Sequence, residues 1–185
     1  VGKIMWIDAD TIIRCDIVPF FRSALSTNDH TISARLMAGK TSVALEHRGE
    51  GETFNAGVMV VDLDRWRARN VTAKVEEWAA LNAREKIYGY GSQPPLQLAI
   101  GDNFERMDVD WNVGGFGGEA NMTVKHCACL LHWNGARKYW LDDGFNKDLV
   151  DSVYSPCKSS LEKRREKNRM VHDQRKMNES NVVAP

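Results

Sequence analysis

The chain has 185 residues, of which 43% are hydrophobic, and its acidic and basic residues balance to a formal net charge of zero at pH 7. This length suffices for one domain with a sizeable core. The balanced charge provides no general basic surface, which disfavours a nucleic-acid partner. No apolar run reaches the roughly 20 residues that cross a bilayer.

The first predicted element is a strand over residues 3–7 that ends in two carboxylates. The apolar run Ile4–Ile7 predicts a strand that is buried on both faces, as in a parallel sheet. Asp8 and Asp10 follow it, and ligands of open α/β sheets bind beyond the carboxyl ends of such strands. Two hard oxygen ligands at this position suit Mg²⁺ or Mn²⁺ that carries a phosphate ligand.

The Asp-x-Asp spacing occurs twice more, which makes the pattern weak by itself. Asp64, after the strand predicted over 58–63, is expected to cap a helix that runs to about Leu81. Asp108 and Asp110 are assigned to a strand end or a loop. The choice among the three pairs therefore depends on neighbouring motifs.

Proline and glycine positions delimit the other elements. Pro19 opens a short helix, and the Pro94–Pro95 pair opens another. The remaining predicted elements are strands over 14–18, 43–45, 104–109 and 127–133, a flexible glycine-rich loop over 114–118, and a last short helix over 143–154.

The four cysteines give no metal-binding signature. Cys127 and Cys129 are too close for the usual zinc Cys-x-x-Cys spacing, and alternation along a strand places both side chains on one face. We therefore expect buried free thiols. Glycosylation sequons at Asn70, Asn121 and Asn178 give slight support to a lumenal location.

The composition changes after residue 157. Residues 158–176 hold eight Lys or Arg and three Asp or Glu, with few apolar residues. We predict a domain over residues 1–157 and a charged, solvated or disordered tail over 158–185. A basic contact to a membrane surface or a partner is the alternative for this tail.

A second dense cluster, His132–Trp140, stands at the end of the last predicted strand. An imidazole at a strand end is available as a metal ligand, Gly135 allows backbone to approach an anion closely, and Lys138 can neutralise a phosphate. A lone histidine would more often be structural. Because His, Gly and Lys occur here with this spacing, in a chain that also has the first carboxylate pair, a binding function is favoured.

Four sequence blocks span residues 4–140 in a fixed order: Ile7–Ile17 with Asp-Ala-Asp, Phe54–Trp66 beginning Phe-Asn-Ala-Gly-Val, Gly91–Leu96 with Gly-Ser-Gln-Pro-Pro, and Leu131–Trp140 with His-Trp-Asn-Gly-Ala-Arg-Lys. This combination resembles glycosyltransferase family 8, which includes bacterial lipopolysaccharide galactosyltransferases, glycogenin and plant galacturonosyltransferases. The chain departs from that pattern at two positions. Tyr139 replaces a proline that would fix φ, and Ser92 stands where bacterial members carry Asp.

The resemblance implies a GT-A fold, in which helices flank a mixed central α/β sheet, and retention of configuration at the anomeric carbon. The donor would be a UDP-sugar, the acceptor a carbohydrate or glycoconjugate, and the cofactor Mn²⁺, with Mg²⁺ as the alternative. The site residues that it implies are Asp8, Asp10 and His132 for the metal, Gly135 and Lys138 for the diphosphate, Asn55 and Ala56 with Asp8 for the donor, and Gln93 for catalysis at the reacting carbon.

In the family, uridine-binding strands precede the Asp-x-Asp strand, so we expect this chain to lack the N-terminal nucleotide-binding strands. Any membrane anchor would then lie before Val1, and the resemblance implies a location in the Golgi lumen. A non-catalytic, truncated or degenerate homologue is the second hypothesis. A metal-dependent phosphoryl-transfer or hydrolytic enzyme is the third, although it does not account for the blocks at Phe54–Gly57 and Gly91–Pro95.

Overall fold

The computed structural model describes residues 2–27, 29–37, 52–89 and 91–152. The chain divides into two compact units, Val1–Phe145 and Asn146–Pro185.

In the second unit, residues 147–152 are helical, and they lie inside the stretch where the last helix is predicted. The strand predicted over 43–45 and the tail predicted over 158–185 lie outside the described residues. All elements that follow belong to the first unit.

The first unit is built on a four-stranded sheet, here called the main sheet. Its strands, in spatial order, are β1 (Lys3–Ile7), β4 (Phe54–Asp62), β3 (Ile32–Leu36) and β5 (Phe104–Arg106). Strands β1 and β3 both run antiparallel to β4, whereas β5 runs parallel to β3. The sheet is therefore mixed.

A second, smaller sheet follows the end of β1. It contains β2 (Thr11–Ile13), β7 (Leu130–His132) and β6 (Val113–Gly114), with β7 in the middle. Strand β2 runs antiparallel to β7, and β6 runs parallel to it. Residues 8–10 thus carry the chain from the main sheet to the small sheet.

Four α-helices complete the described part of this unit. They are α1 (Val18–Ser23), α2 (Leu63–Ala68), α3 (Val71–Glu85) and α4 (Gln93–Ile100), and a 3₁₀ turn covers Val109–Trp111. Helices α1 and α4 carry proline in their first turn, where the missing N–H costs nothing. Both proline-initiated helices are thereby confirmed. None of the described helices has the length and apolar character that crossing a membrane requires.

The helix predicted from Asp64 differs from the observed structure in two ways. The residue that caps α2 is Asp62, whose carboxylate accepts the N–H groups of Asp64 and Arg65 at 3.1 and 2.9 Å. Asn70 adopts a left-handed conformation with φ of 51°, which separates α2 from α3. The prediction of one helix to about Leu81 was therefore wrong, because this left-handed residue breaks the chain direction and α3 continues to Glu85.

The main sheet buries apolar side chains on both faces. On one face, Phe54, Met59 and Val61 form a core cluster with Val71 of α3 and Ile100 of α4. On the other face, neighbouring β4 side chains pack against α1 and the small sheet. Members of these clusters include Val58, Val60, Phe20 and Leu130.

Strand β1 is less buried than its sequence predicted. Ile4 is 38% exposed and Trp6 is 54% exposed, and the strand alternates between half-buried and exposed side chains. Among the described strands it pairs with β4 alone, in antiparallel register. Alternation of this kind is typical of an antiparallel strand with one covered face, so the expectation of burial on both faces was wrong.

Three other strands also differ from the prediction in their boundaries. The second strand is Thr11–Ile13 instead of 14–18, the fifth ends at Arg106 before the 3₁₀ turn, and the last is restricted to Leu130–His132.

The expectation of buried free thiols was wrong as well. Cys129 forms a disulfide with Cys15, and the free Cys127 is exposed.

Candidate active site

The first carboxylate pair lies at the turn between the two sheets. The N–H of Asp8 donates to the Gly57 carbonyl at 2.7 Å, which extends the β1–β4 ladder by one residue. The hydroxyl of Thr11 donates to the Asp8 carbonyl at 2.8 Å and closes the turn. The Asp8 side chain is 42% exposed and that of Asp10 is 11% exposed. Asp8 therefore lies at the solvent edge of the site and Asp10 in its interior.

Pairing between β2 and β7 brings a histidine to this turn. Thr11 lies opposite His132 in the small sheet, and the N–H of Trp133 donates to the Asp10 carbonyl at 2.8 Å. As a result, Nε2 of His132 lies 3.3 Å from Oδ1 of Asp10 and 3.9 Å from Oδ2 of Asp8. The structure thus brings together the three residues predicted to share a metal.

The geometry of this trio suits a cation. One ligand atom from each of Asp8, Asp10 and His132 lies within 4.8 Å of the other two. Metal bonds to oxygen and imidazole nitrogen are about 2.0–2.2 Å long, so small side-chain shifts allow one ion to contact all three. Two carboxylates and one imidazole are a donor set that suits Mn²⁺ and related divalent ions.

Because Gly57 has no side chain, it leaves room for the side chains of Asp8 and His132. A Cβ at this position would lie 2.8 Å from Oδ2 of Asp8 and 2.9 Å from Nε2 of His132, well inside van der Waals contact. Strand β4 therefore approaches both side chains with backbone alone. The sequence requires glycine here for close packing, since its conformation is that of an ordinary strand residue.

The His132 imidazole is buried, with only 2% of the residue exposed. Burial lowers its pKa below the ordinary 6.5, against the opposing effect of the Asp10 and Asp8 carboxylates, while the Lys138 ammonium adds to the lowering. The ring is therefore neutral at neutral pH. A neutral imidazole is the form that binds a metal.

Lys138 also reaches the site. Its ammonium forms an ion pair with Oδ2 of Asp10, and it donates to the Trp133 carbonyl at 2.8 Å. The Lys138 side chain is 26% exposed, so its charged group lies at the mouth of the site. One carboxylate oxygen of Asp10 thus faces His132, while the other faces a cationic side chain.

The amide side chain of Asn112 contacts the opposite side of the imidazole and links it to Asn55. Oδ1 of Asn112 lies 2.9 Å from Nδ1 of His132, and the Asn112 amide nitrogen donates to Oδ1 of Asn55 at 2.9 Å. Next to Asn55 in sequence, the N–H of Ala56 donates to Oε1 of Gln93 at 2.9 Å. Asn55, Ala56 and Gln93, which were predicted to face the donor sugar, therefore form one connected group beside the histidine.

Residues 1–144 match the sequence profile of the family described as "Glycosyl transferase family 8". The chain belongs to this family of glycosyltransferase enzymes. Among its relatives, "Probable galacturonosyltransferase-like 10" of Arabidopsis thaliana is 33% identical over an alignment 180 residues long, and the alignment covers 84% of this chain and 48% of the relative. "Probable galacturonosyltransferase-like 3" of the same plant is 38% identical over 109 residues, which cover 56% of this chain and 32% of the relative. The chain thus spans about half the length of the first of these relatives.

Solved structures of family 8 and related glycosyltransferases share the fold. The structure of the galactosyltransferase LgtC with donor and acceptor sugar analogues covers 84% of this chain, and the chain covers 62% of it, with a TM-score of 0.66 at 17% identity. The glycosyltransferase GlyE of Streptococcus pneumoniae TIGR4 gives a TM-score of 0.58 at 20% identity. The matched region covers 78% of this chain and 37% of the GlyE chain. The GT-A fold expected from the sequence is confirmed.

Gly135 of the family 8 signature has a clear structural reason in this chain. Its φ is +125°, and a Cβ there would lie 2.5 Å from the Gly117 carbonyl oxygen and 2.6 Å from the Gly118 nitrogen. The N–H of Arg137 also donates to the Gly117 carbonyl at 2.9 Å. The glycine-rich segment 114–118, expected to be a flexible loop, is therefore packed against the segment that leads to Lys138.

Two residues that surround the family 8 trio were not singled out from the sequence. Asn112 follows the third Asp-x-Asp pair and has no predicted role, and Gly57 enters only as part of the Phe-Asn-Ala-Gly block. Neither residue carries chemistry of its own, and each acts through a partner distant in sequence. The glycine at the start of the apolar run Gly57–Val61 is a local signal for close packing, whereas nothing local marks Asn112.

Proposed function

We propose that this chain carries the metal site of a retaining glycosyltransferase that moves a hexosyl or hexuronosyl unit from a UDP-sugar to a hydroxyl of a carbohydrate or glycoconjugate acceptor. The observation that carries this proposal is the convergence of Asp8, Asp10 and His132, with ligand atoms within 4.8 Å of one another. Family membership supplies the reaction class. The names of the plant relatives favour a hexuronosyl donor.

The donor set favours Mn²⁺ among divalent ions. Two carboxylates alone would suit Mg²⁺ equally, but the imidazole of His132 shifts the preference to Mn²⁺. When bound, such an ion stabilises negative charge on the departing diphosphate as a Lewis acid. Asp8 and Asp10 supply the anionic oxygens that hold the ion, and Asp8, at the solvent edge, is the ligand nearest to an incoming donor.

Lys138 supplies a second positive charge to the leaving group. Its ammonium lies beside Asp10 at the mouth of the site, within a segment fixed against the glycine-rich loop. An ammonium group stabilises a phosphate as a point charge, and a preorganised charge of this kind lowers the barrier most where negative charge develops. Lys138 therefore assists cleavage of the bond between the anomeric carbon and the diphosphate oxygen.

Gln93 is placed to act at the sugar. Its carbonyl oxygen accepts the Ala56 N–H, which orients its amide toward the group formed with Asn55. In the reaction, the acceptor oxygen forms a bond to the anomeric carbon on the face from which the diphosphate departs, and the hydroxyl proton passes to the departing diphosphate. Gln93 orients the sugar and stabilises positive charge at the reacting carbon through its amide oxygen.

The disulfide supports a lumenal location for the enzyme. Cys15 and Cys129 are bonded, and disulfides persist in oxidising compartments such as those of the secretory pathway. The Golgi lumen fits both this chemistry and a carbohydrate acceptor.

Titration of the 185-residue chain with Mn²⁺, and then with UDP-galacturonic acid, tests the proposal. We expect saturable Mn²⁺ binding, Mn²⁺-dependent binding of the nucleotide sugar and its slow hydrolysis. His132→Ala and Asp10→Asn should each weaken Mn²⁺ binding at least tenfold, because each removes or weakens a ligand.

Asp64→Asn is the matched control. Asp64 belongs to an Asp-x-Asp pair of the same spacing, but its side chain is exposed on the surface of α2, where it forms an ion pair with Arg67 at 2.9 Å. Its substitution should leave Mn²⁺ binding unchanged. Equal Mn²⁺ affinity in the wild type and both site variants would reject these ligands. Absence of nucleotide-sugar binding would favour the second hypothesis, a truncated or degenerate homologue that is not catalytic.

A further inference from the structure

A chain of hydrogen bonds links a backbone amide of β4 to the ring of His132. The Gly57 N–H donates to Oδ1 of Asn55 at 3.0 Å, and the same oxygen accepts from the Asn112 amide nitrogen at 2.9 Å. Oδ1 of Asn112 then lies 2.9 Å from Nδ1 of His132. We call these four residues the amide relay.

The orientation of both amide side chains in the relay follows from the Gly57 N–H, with which the relay begins. A backbone N–H of Gly57 can only donate, so the Asn55 atom that faces it must be the oxygen. That oxygen has to meet a donor on Asn112, so the Asn112 amide nitrogen faces Asn55. The Asn112 oxygen is consequently the atom that faces the imidazole, and it can only accept.

Burial makes the opposite arrangement unfavourable. Turning the Asn112 amide around would place its oxygen against the Asn55 oxygen, and turning both amides would place an Asn55 N–H against the Gly57 N–H. Asn112 is 1% exposed and His132 is 2% exposed, so water cannot readily replace the lost partner. The backbone around Asn112 is held as well, since its carbonyl accepts from the Arg35 guanidinium at 2.6 Å and its N–H donates to the Val109 carbonyl at 3.1 Å.

We propose that Asn112 and Asn55 are positioning residues that hold His132 in the tautomer protonated at Nδ1. The unprotonated Nε2 then directs its lone pair toward Asp8 and Asp10 before any ion arrives. The link to cation binding rests on the proposed function, whereas the tautomer itself is a property of the protein alone. Without the relay, the Nε2–H tautomer would gain a hydrogen bond to the Asp10 carboxylate, 3.3 Å away.

Nitrogen-15 NMR of the ring in the metal-free, full 185-residue chain tests the tautomer directly. At a pH above the ordinary imidazole pKa of about 6.5, we expect His132 to show a protonated Nδ1 and an unprotonated Nε2. His132→Gln assigns the signals by their disappearance. A wild-type spectrum with Nε2 protonated, alone or together with Nδ1, would overturn the proposal.

Two substitutions at position 112 separate positioning from packing. Asn112→Leu removes the acceptor, so the ring should shift toward the Nε2–H tautomer and Mn²⁺ affinity should fall by about 10- to 100-fold. Asn112→Asp loses the donor to Asn55 but keeps an oxygen acceptor toward the ring, so it should retain the Nδ1–H tautomer. An unchanged tautomer in Asn112→Leu would refute a positioning role for Asn112.

The NMR and binding measurements distinguish this inference from the proposed function. If the wild type shows the Nδ1–H tautomer but binds no Mn²⁺, the relay stands and the proposed metal site fails. If Asn112→Leu does not fold, the wild-type spectrum and Asn112→Asp still decide, because loss of the Nδ1–H tautomer in the aspartate variant would contradict the relay.

Discussion

Gly57 and His132 occupy adjoining space so closely that only a residue without a side chain fits at position 57. A Cβ there would lie 2.9 Å from Nε2 of His132 and 2.8 Å from Oδ2 of Asp8. The Gly57 carbonyl accepts the Asp8 N–H of the neighbouring strand end, and β4 pairs with β3 at Asn55 and Met59, on either side of a register shift. These pairings restrain the backbone around Gly57. The two side chains would have to yield instead.

Gly57→Ala should therefore disturb the site more than the fold. We expect displacement of the His132 ring and the Asp8 carboxylate, a loss of Mn²⁺ affinity of about 10- to 100-fold, and destabilisation of about 1–3 kcal/mol from overpacking. Calorimetric titration with Mn²⁺ and urea unfolding measure the two effects. Gly89→Ala is the control, because a Cβ at Gly89 meets nothing within 4 Å. Wild-type Mn²⁺ affinity in Gly57→Ala would contradict the close fit.

The proximity of Asp8, Asp10 and His132 could be predicted from the sequence because each stands at or near the end of a strand. Asp8 and Asp10 follow β1, and His132 ends β7, and polar side chains at strand ends are available to a site. The pairing of β2 with β7 that achieves this was not predicted, since the second strand was placed over 14–18. A three-residue strand such as Thr11–Ile13 carries too little alternation to be located from its residues alone.

Features that depend on tertiary contacts could not be predicted from the sequence. Asp62 and Asp64 are both plausible caps by residue type, and only the extended backbone at Asp62 decides between them. The disulfide between Cys15 and Cys129 depends on the same β2–β7 pairing. The role of Asn112 depends on its hydrogen bond to His132. No local sequence pattern predicts that contact.

Protonation of His132 should couple folding to pH. Burial lowers its pKa below the ordinary 6.5 in the folded state, so the unfolded chain takes up a proton first as the pH falls. The stability that the neutral buried ring provides is therefore complete above about pH 6.5 and declines as the pH falls below that value, until the folded ring is also protonated. The free energy of unfolding, measured by urea titration at several pH values, should decline more steeply in the wild type than in His132→Gln.

The comparison with His132→Gln cancels the contribution of the other histidines. Glutamine stays neutral over this range, so the difference between the two curves isolates residue 132. Parallel curves would show that the ring has the same pKa in the folded and unfolded chain. A wild type that gains stability relative to the variant at acidic pH would reverse the expected sign.

The Cys15–Cys129 disulfide should stabilise both the fold and the site. It joins the residues that flank β2 and β7, and the Arg14 N–H donates to the Cys129 carbonyl at 2.8 Å beside it. The bond closes a long loop, with a sequence separation of 114, so replacing both cysteines by serine should lower the free energy of unfolding by about 2–5 kcal/mol. Mn²⁺ affinity should fall too, because the two strands carry Asp10 and His132 at their ends.

Urea unfolding and Mn²⁺ titration of the double variant measure this effect, and reduction of the wild type with dithiothreitol should reproduce it. Cys127→Ser is the matched control, since Cys127 is exposed and free, and it should leave both quantities unchanged. A double serine variant that unfolds at the wild-type urea concentration would exclude a stabilising role for the bond.

Lys138 should assist binding of the diphosphate but not binding of Mn²⁺. Its ammonium pairs with Asp10 and would compete there with a divalent ion, so Lys138→Met should leave Mn²⁺ affinity unchanged or raise it. The same substitution removes a charge-assisted contact to the diphosphate, worth about 1.5–3 kcal/mol, so UDP should bind about 10- to 100-fold more weakly in the presence of Mn²⁺. Lys74→Met, which removes an exposed lysine from α3, should change neither affinity. If Lys138→Met weakened Mn²⁺ binding and left UDP binding intact, the lysine would serve to support the segment after β7 through the Trp133 carbonyl instead of binding phosphate.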